Sequence, residues 1–116
     1  MAVARVLICE PHDDISSLLE LVVRRLGHEP VTYRGEDLEL VKVDAAVIEP
    51  GEAAGMRVAR ALCEKKVPML FTSIYPADDA LLRLEPAAYL VKPFPLYALE
   101  RALLDVLEPV APAAAC

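Results

Sequence analysis

The chain alternates short apolar runs with amphipathic stretches. Residues 3–9 are rich in β-branched side chains and long enough for a strand buried on both faces; the run stops at Glu10-Pro11. Asp13 then reads as a helix N-cap, with Asp14 in the first turn, where a carboxylate is favoured. Ile15, Leu18, Leu19, Val22, Val23 and Leu26 follow at helical spacing, and Gly27 supplies a C-terminal stop. Residues 29–33 read as a second strand and 37–42 as a short helix. A third strand, Ala45–Ile48, ends at the turn signal Glu49-Pro50-Gly51. The stretch Ala53–Glu64 has helical composition, with Met56, Ala59 and Leu62 on one side. A fourth strand over 68–72, a fourth helix over 77–84, a fifth strand over Ala88–Val91 and a fifth helix over 95–107, with proline in its first turn, complete the pattern. Residues 1–107 thus form one domain. The Ala- and Pro-rich stretch 108–116 reads as a frayed end or the start of a linker.

Strands that alternate with helices imply a parallel sheet covered on both faces. The expected fold is therefore α/β: a three-layer, doubly wound, five-stranded parallel sheet, flavodoxin-like, of order 2-1-3-4-5. In such sheets sites form outside the carboxyl ends of the strands, near the switch point between strands 1 and 3. Those ends carry Glu10, Glu49, Thr72 and Lys92, so two acids, a hydroxyl and a lysine are expected to converge.

Composition narrows the function classes. A length of 116 residues suits one domain with a core that needs no staples. Apolar residues reach 56% but are spread through the chain, and no run approaches the roughly 18 needed for a membrane span. The start, Met-Ala-Val-Ala-Arg-Val, is too short for a signal peptide, so a cytoplasmic domain without membrane contact is expected. A net charge of −6 argues against binding a nucleic-acid backbone. Three cysteines without paired spacing suggest reduced thiols, with Cys9 as core filler, and the lack of Cys-x-x-Cys or a histidine pair argues against zinc. No glycine-rich phosphate loop supports dinucleotide or triphosphate binding.

Four pieces, in order and at the right strand ends, resemble the receiver domain of bacterial response regulators over residues 3–107. They are Ile8-Cys-Glu10 followed by Ile15, Asp44-Ala-Ala-Val-Ile-Glu49, Thr72 after Met69-Leu-Phe71, and Tyr89-Leu-Val-Lys-Pro-Phe94. In that family two acids after strand 1 and an aspartate ending strand 3 hold Mg²⁺. The aspartate takes a phosphoryl group from a histidine kinase, and the new charge biases a two-state packing arrangement. The resemblance puts the acceptor position on Glu49, an acidic pocket position on Glu10, the pocket lysine on Lys92, the switch hydroxyl on Thr72 and the switch aromatic on Tyr89. It also implies a cis bond before Pro93.

Three departures change that expectation. Glu49 replaces the acceptor aspartate, and the extra methylene displaces a nucleophile whose chemistry depends on positioning. Pro11 replaces the second acid and offers no side-chain ligand. The turn after Glu49 is shortened. Two acids around one lysine need a divalent cation less than three would. The expected pocket is metal-free, with Lys92 paired to Glu49, no cofactor and no catalysis; Mg²⁺ enters only if phosphorylation survives.

The leading functional expectation is a receiver-like signalling domain that acts by protein contact without conventional aspartyl phosphorylation. Its partner would be a histidine kinase, a downstream effector, or a second copy meeting it through the face of the fourth helix, fifth strand and fifth helix. One alternative is a receiver still phosphorylated by a histidine kinase; another is a flavodoxin-like domain that senses a small ligand. Plainer readings stand beside these: Glu49 as a turn carboxylate, Thr72 as an ordinary strand-end threonine, Tyr89 as a half-buried strand residue, and His12 as a solvated turn residue.

Overall fold

Nine elements account for the pattern in the computed structural model, which describes residues 3–39 and 41–108. They are β1 (Arg5–Cys9), α1 (Asp13–Arg25), β2 (Glu29–Thr32), β3 (Ala45–Ile48), α2 (Ala53–Glu64), β4 (Met69–Ser73), α3 (Asp79–Leu82), β5 (Ala88–Val91) and α4 (Leu96–Leu107). The strands form one sheet of order β2-β1-β3-β4-β5, with every neighbouring pair parallel. This is the doubly wound, flavodoxin-like α/β sheet.

Side-chain alternation divides the core into two layers. Val6, Ile8, Val47 and Leu70 point to one face and pack with Leu19 and Val23 of α1 and Leu99 and Leu103 of α4. Leu7, Ile48, Met69 and Phe71 point to the other and pack with Val58, Ala59 and Leu62 of α2. β1, β3 and β4 are buried on both sides, which is why they read as continuous apolar runs. Full burial of each Leu, Ile or Phe contributes about 1.5–3 kcal/mol.

The structure corrects several local readings. The N-cap of α1 is His12 rather than Asp13; Asp13 and Asp14 both lie in the first turn, where they face the positive end of the helix dipole. The described residues of 37–42 form no helix. There the Glu36 carboxylate accepts the Arg34 N–H and the Asp37 carboxylate accepts the Glu39 N–H, local bonds that compete with a helical ladder. Leu38 and Val41 still pack on the second core layer, so the apolar spacing reflected burial rather than a helix. The helix expected over 77–84 is the four-residue α3, capped by Asp78, whose Oδ1 accepts the Leu81 N–H at 2.9 Å. Pro95 is the N-cap of α4 and not part of its first turn. The tail expected from residue 108 onward lies, beyond Glu108, outside the described residues.

Cys9 is a free, buried thiol, and burial together with the nearby Glu10 carboxylate pushes its pKa up to about 11. Cys63 is buried in the second core layer.

Candidate functional site at the strand ends

β1, β3 and β5 each run out of apolar residues at the same edge of the sheet, and each is followed by one ionisable residue. Glu10 follows β1, Glu49 follows β3 and Lys92 follows β5. The parallel register aligns these ends: Cys9 pairs with Ile48, and the Glu49 N–H donates to the Cys9 carbonyl at 2.9 Å. The Lys92 N–H donates to the Ser73 carbonyl at 2.7 Å, which carries the β4–β5 ladder one residue further and fixes where the lysine side chain starts.

The three side chains meet. Lys92 Nζ lies 2.7 Å from Glu10 Oε1 and 3.1 Å from Glu49 Oε2. The Glu10 side chain is 1% exposed, Glu49 10% and Lys92 12%. Groups this enclosed require partners, and the remaining carboxylate oxygens have them. Glu49 Oε1 accepts the Gly51 N–H at 2.8 Å, and Glu10 Oε2 accepts the His12 N–H at 3.3 Å and lies 3.2 Å from His12 Nδ1. Burial pulls the Lys92 pKa down, but its hydrogen bonds to Glu10 and Glu49 outweigh this and leave it raised. The lysine is therefore a cation at neutral pH, and with two carboxylates the cluster carries a formal charge of −1.

The loop after Glu49 is held closely. Gly55, in the first turn of α2, lies against the Glu49 backbone, and a Cβ at that position would collide with the Glu49 carbonyl oxygen. The Lys92–Pro93 peptide is cis.

The hydroxyl and the aromatic fall differently from the sequence reading. Phe71 pairs with Tyr89 across β4 and β5, and their rings meet edge to face at 6.4 Å. Alternation then puts Thr72 on the opposite face from Tyr89. Thr72 is fully buried, one step beyond the Ile48–Phe71 pair and so beside Glu49, and its Oγ1 has no hydrogen-bond partner among the described residues. The hydroxyl on Tyr89's face is that of Ser73, which is buried and accepts the Tyr75 N–H at 3.2 Å. Tyr89 donates its phenol proton to the Tyr75 carbonyl at 2.8 Å. Ser73 was missed because an uninterrupted apolar run does not say which face its last residues take. Counting in twos from Phe71, once paired with Tyr89, identifies it. His12 is mostly exposed and reaches the cluster only through Glu10.

No family model and no curated protein sequence matches the chain. Solved structures do. The non-phosphorylated HemR receiver domain of Leptospira biflexa is 21% identical, with 95% of this chain and 98% of that one covered and a TM-score of 0.78. The chemotaxis protein CheY4 of Vibrio cholerae is 19% identical over 91% of this chain and all of that one, with a TM-score of 0.76. A response regulator from Thermotoga maritima is 15% identical over 91% and 98%, also at 0.76. At these identities the likeness establishes a shared fold.

Proposed function

We propose that this chain is a receiver-like signalling domain that acts through protein–protein contact, its acceptor-position glutamate held by a lysine and not phosphorylated. The observation that carries this reading is the double engagement of Glu49. One carboxylate oxygen is bound by Lys92 and the other by the Gly51 N–H. A nucleophile must be aimed along the line of attack, and these two bonds fix the Glu49 carboxylate in one orientation, one methylene beyond where an aspartate would place it. The fold shared with response-regulator receivers supports the signalling role.

The donor set does not fit the Mg²⁺ that receiver phosphorylation uses. Pro11 offers no side-chain oxygen, Lys92 occupies both Glu10 and Glu49, and no group of three or more His, Cys, Asp or Glu side chains could hold a metal ion among the described residues. Mg²⁺ requires near-octahedral oxygen ligation and sheds water reluctantly. In this reading the domain is a binding module, not an enzyme, and acts in the cytoplasm. Among the described residues no helix is long and apolar enough to cross a membrane.

The surface of α3, β5 and α4 supports contact with a partner. Leu82, Val91, Leu96, Tyr97 and Leu104 are exposed there. A histidine kinase, a downstream effector or a second copy of the chain would bury these side chains. Incubation with acetyl phosphate and Mg²⁺ followed by intact-mass measurement tests the central claim. The expected mass is unchanged. A gain of one phosphate that disappears in Glu49→Gln would overturn the reading in favour of a phosphorylated receiver.

A further inference from the structure

The loop after β4 carries two exposed apolar side chains on a backbone that is held in place. Ile74 is 62% exposed and Tyr75 67%, and neither belongs to a core layer. On an unsupported loop tip such side chains would fold away from water. Here the Tyr75 N–H donates to Ser73 Oγ at 3.2 Å, and the Tyr75 carbonyl accepts the Tyr89 phenol proton at 2.8 Å. Pro76 follows and biases Tyr75 toward extended backbone. A projecting aromatic on a fixed backbone loses little conformational freedom when another surface closes on it, which is the property of an interface anchor. The open depression beside Tyr75 is flanked by the exposed carboxylates of Glu52 and Asp78.

A second exposed apolar pair lies on α1, and the charge beside it has the opposite sign. Leu18 and Leu21 project from the face of the helix turned away from the buried Leu19, Val22 and Val23. Arg25 continues their stripe one turn beyond Leu21, and Arg24 flanks it. Both arginines are exposed, and neither forms an ion pair among the described residues. Of the nearby acids, Glu20 is bonded to Thr32 and Asp14 to the Ile15 N–H. In a chain of net charge −6, the last turn of α1 is thus a cationic spot at the end of an apolar stripe. α1 covers the first core layer, whereas the depression beside Tyr75 borders α2, which covers the second. The two surfaces therefore lie on different parts of the molecule.

We propose that these surfaces bind each other in separate copies of the chain, the Ile74–Tyr75 loop of one copy against the α1 stripe of the next. An apolar centre with an anionic rim is matched by an apolar centre with a cationic rim, and this chain supplies both. Tyr75 packs on Leu18 and Leu21, while Arg24 and Arg25 meet Glu52, Asp78 and the face of the Tyr75 ring. The contact joins unlike surfaces, so each added copy keeps one of them free and the assembly extends rather than closes. This inference goes beyond the function proposed above and does not depend on the state of Glu49. It leaves the α3–β5–α4 surface uncovered.

Sedimentation velocity of the full chain at low salt, at concentrations up to about 1 mM, the range of weak interfaces, tests the proposal. The sedimentation coefficient is expected to rise with concentration past that of a dimer, and to fall back when added salt screens the rims. Tyr75→Ser and Leu21→Ser should each weaken association about tenfold or more. Both residues lie outside the core layers, so unchanged urea midpoints verify the folds. An equimolar mixture of the two variants is the decisive sample. Tyr75→Ser retains the α1 stripe and Leu21→Ser retains the loop, so together they should form a 1:1 complex as strong as one wild-type contact and grow no further. A wild-type chain that stays monomeric would overturn the proposal, as would association that either variant leaves intact. A mixture that fails to pair would overturn it as well.

Discussion

The β3–α2 unit and the stretch from Ile74 to Val91, which holds α3 and β5, belong to one domain and are built to different standards. All four residues of β3 are buried, and α2 buries five along its length. Its first turn is packed so closely on Glu49 that only glycine fits at residue 55. By contrast α3 has four residues and buries none, and β5 is at most half-buried along its length. Exposed apolar side chains, among them Ile74, Tyr75, Leu82 and Val91, gather on this second unit and continue onto α4 at Leu96 and Tyr97. The difference separates two jobs. The firm unit fixes a carboxylate against a lysine to within hydrogen-bond distance. The loose unit has few buried contacts to break, the property expected of surfaces that rearrange or receive a partner.

The comparison breaks most visibly at Gly55. Gly55→Ala adds one methyl group against backbone that cannot move without displacing Glu49, so a loss of about 3 kcal/mol is expected. A change of similar size in the loose unit, Ala80→Gly in α3, should cost about 1 kcal/mol or less. Urea denaturation of both variants checks the contrast; equal losses would show that the two units are equally tight.

Lys92 links the firm unit to β5, so its removal comes next. Lys92→Met leaves Glu10 and Glu49 facing each other without a cation. A fully buried pair broken in this way costs about 3–5 kcal/mol; the partial exposure of Lys92 lowers the expectation to about 2–3 kcal/mol. The pH dependence has a definite sign. A lysine whose pKa is raised by folding contributes stability in full below the ordinary value of about 10.4 and loses it as pH rises through the higher folded value. The gap between wild type and Lys92→Met should therefore stay level from neutral pH into the mildly alkaline range and close only above the ordinary lysine value. A gap that closes near neutrality would show that the cluster is not what holds these strand ends.

Thr72 sharpens the comparison from beneath the site. Its buried hydroxyl lacks a partner among the described residues, and valine has nearly the same shape. Thr72→Val should raise stability by about 1–2 kcal/mol, read from the shift in urea midpoint at constant slope. A loss of that size would mean that the hydroxyl has a partner in solution, such as ordered water or the neighbouring Glu49 carboxylate.

Thr72 also marks the limit of what the amino-acid order makes legible. Strand ends were legible because buried parallel strands are continuous apolar runs and each run stops at a charged residue: Glu10, Glu49 or, after β5, Lys92. With the sheet order, that sufficed to bring these three into one pocket. The same continuity hides the face of each side chain, because a strand buried on both sides has no polar alternation to read. Hence Thr72 was paired with Tyr89, whereas the register gives Tyr89's face to Ser73. The stretch 37–42 misled for a different reason. Leu38 and Val41 carry the spacing of a helical face, but Glu36 and Asp37 spend their carboxylates on nearby backbone N–H groups. Apolar spacing reports burial, and local side-chain bonds decide the backbone conformation beneath it.

The smallest effect on stability should come from the loose unit's surface, where an effect on association is expected instead. Leu82 is 52% exposed and Tyr97 76% exposed, and neither belongs to either core layer. Leu82→Ser and Tyr97→Ser remove apolar surface that already faces water, so each should change folding stability by no more than about 0.5 kcal/mol. If this face receives a partner, the same substitutions remove contacts that form only in the complex. Sedimentation velocity over a concentration series distinguishes the occupants. A concentration-dependent dimer in wild type that dissociates in the double variant assigns the face to a second copy. A chain that is monomeric throughout leaves the face to a different protein. A loss of folding stability well above 0.5 kcal/mol in either single variant would show that the α3–β5–α4 surface is packed in solution, and the contrast between the two units would fail at its looser end.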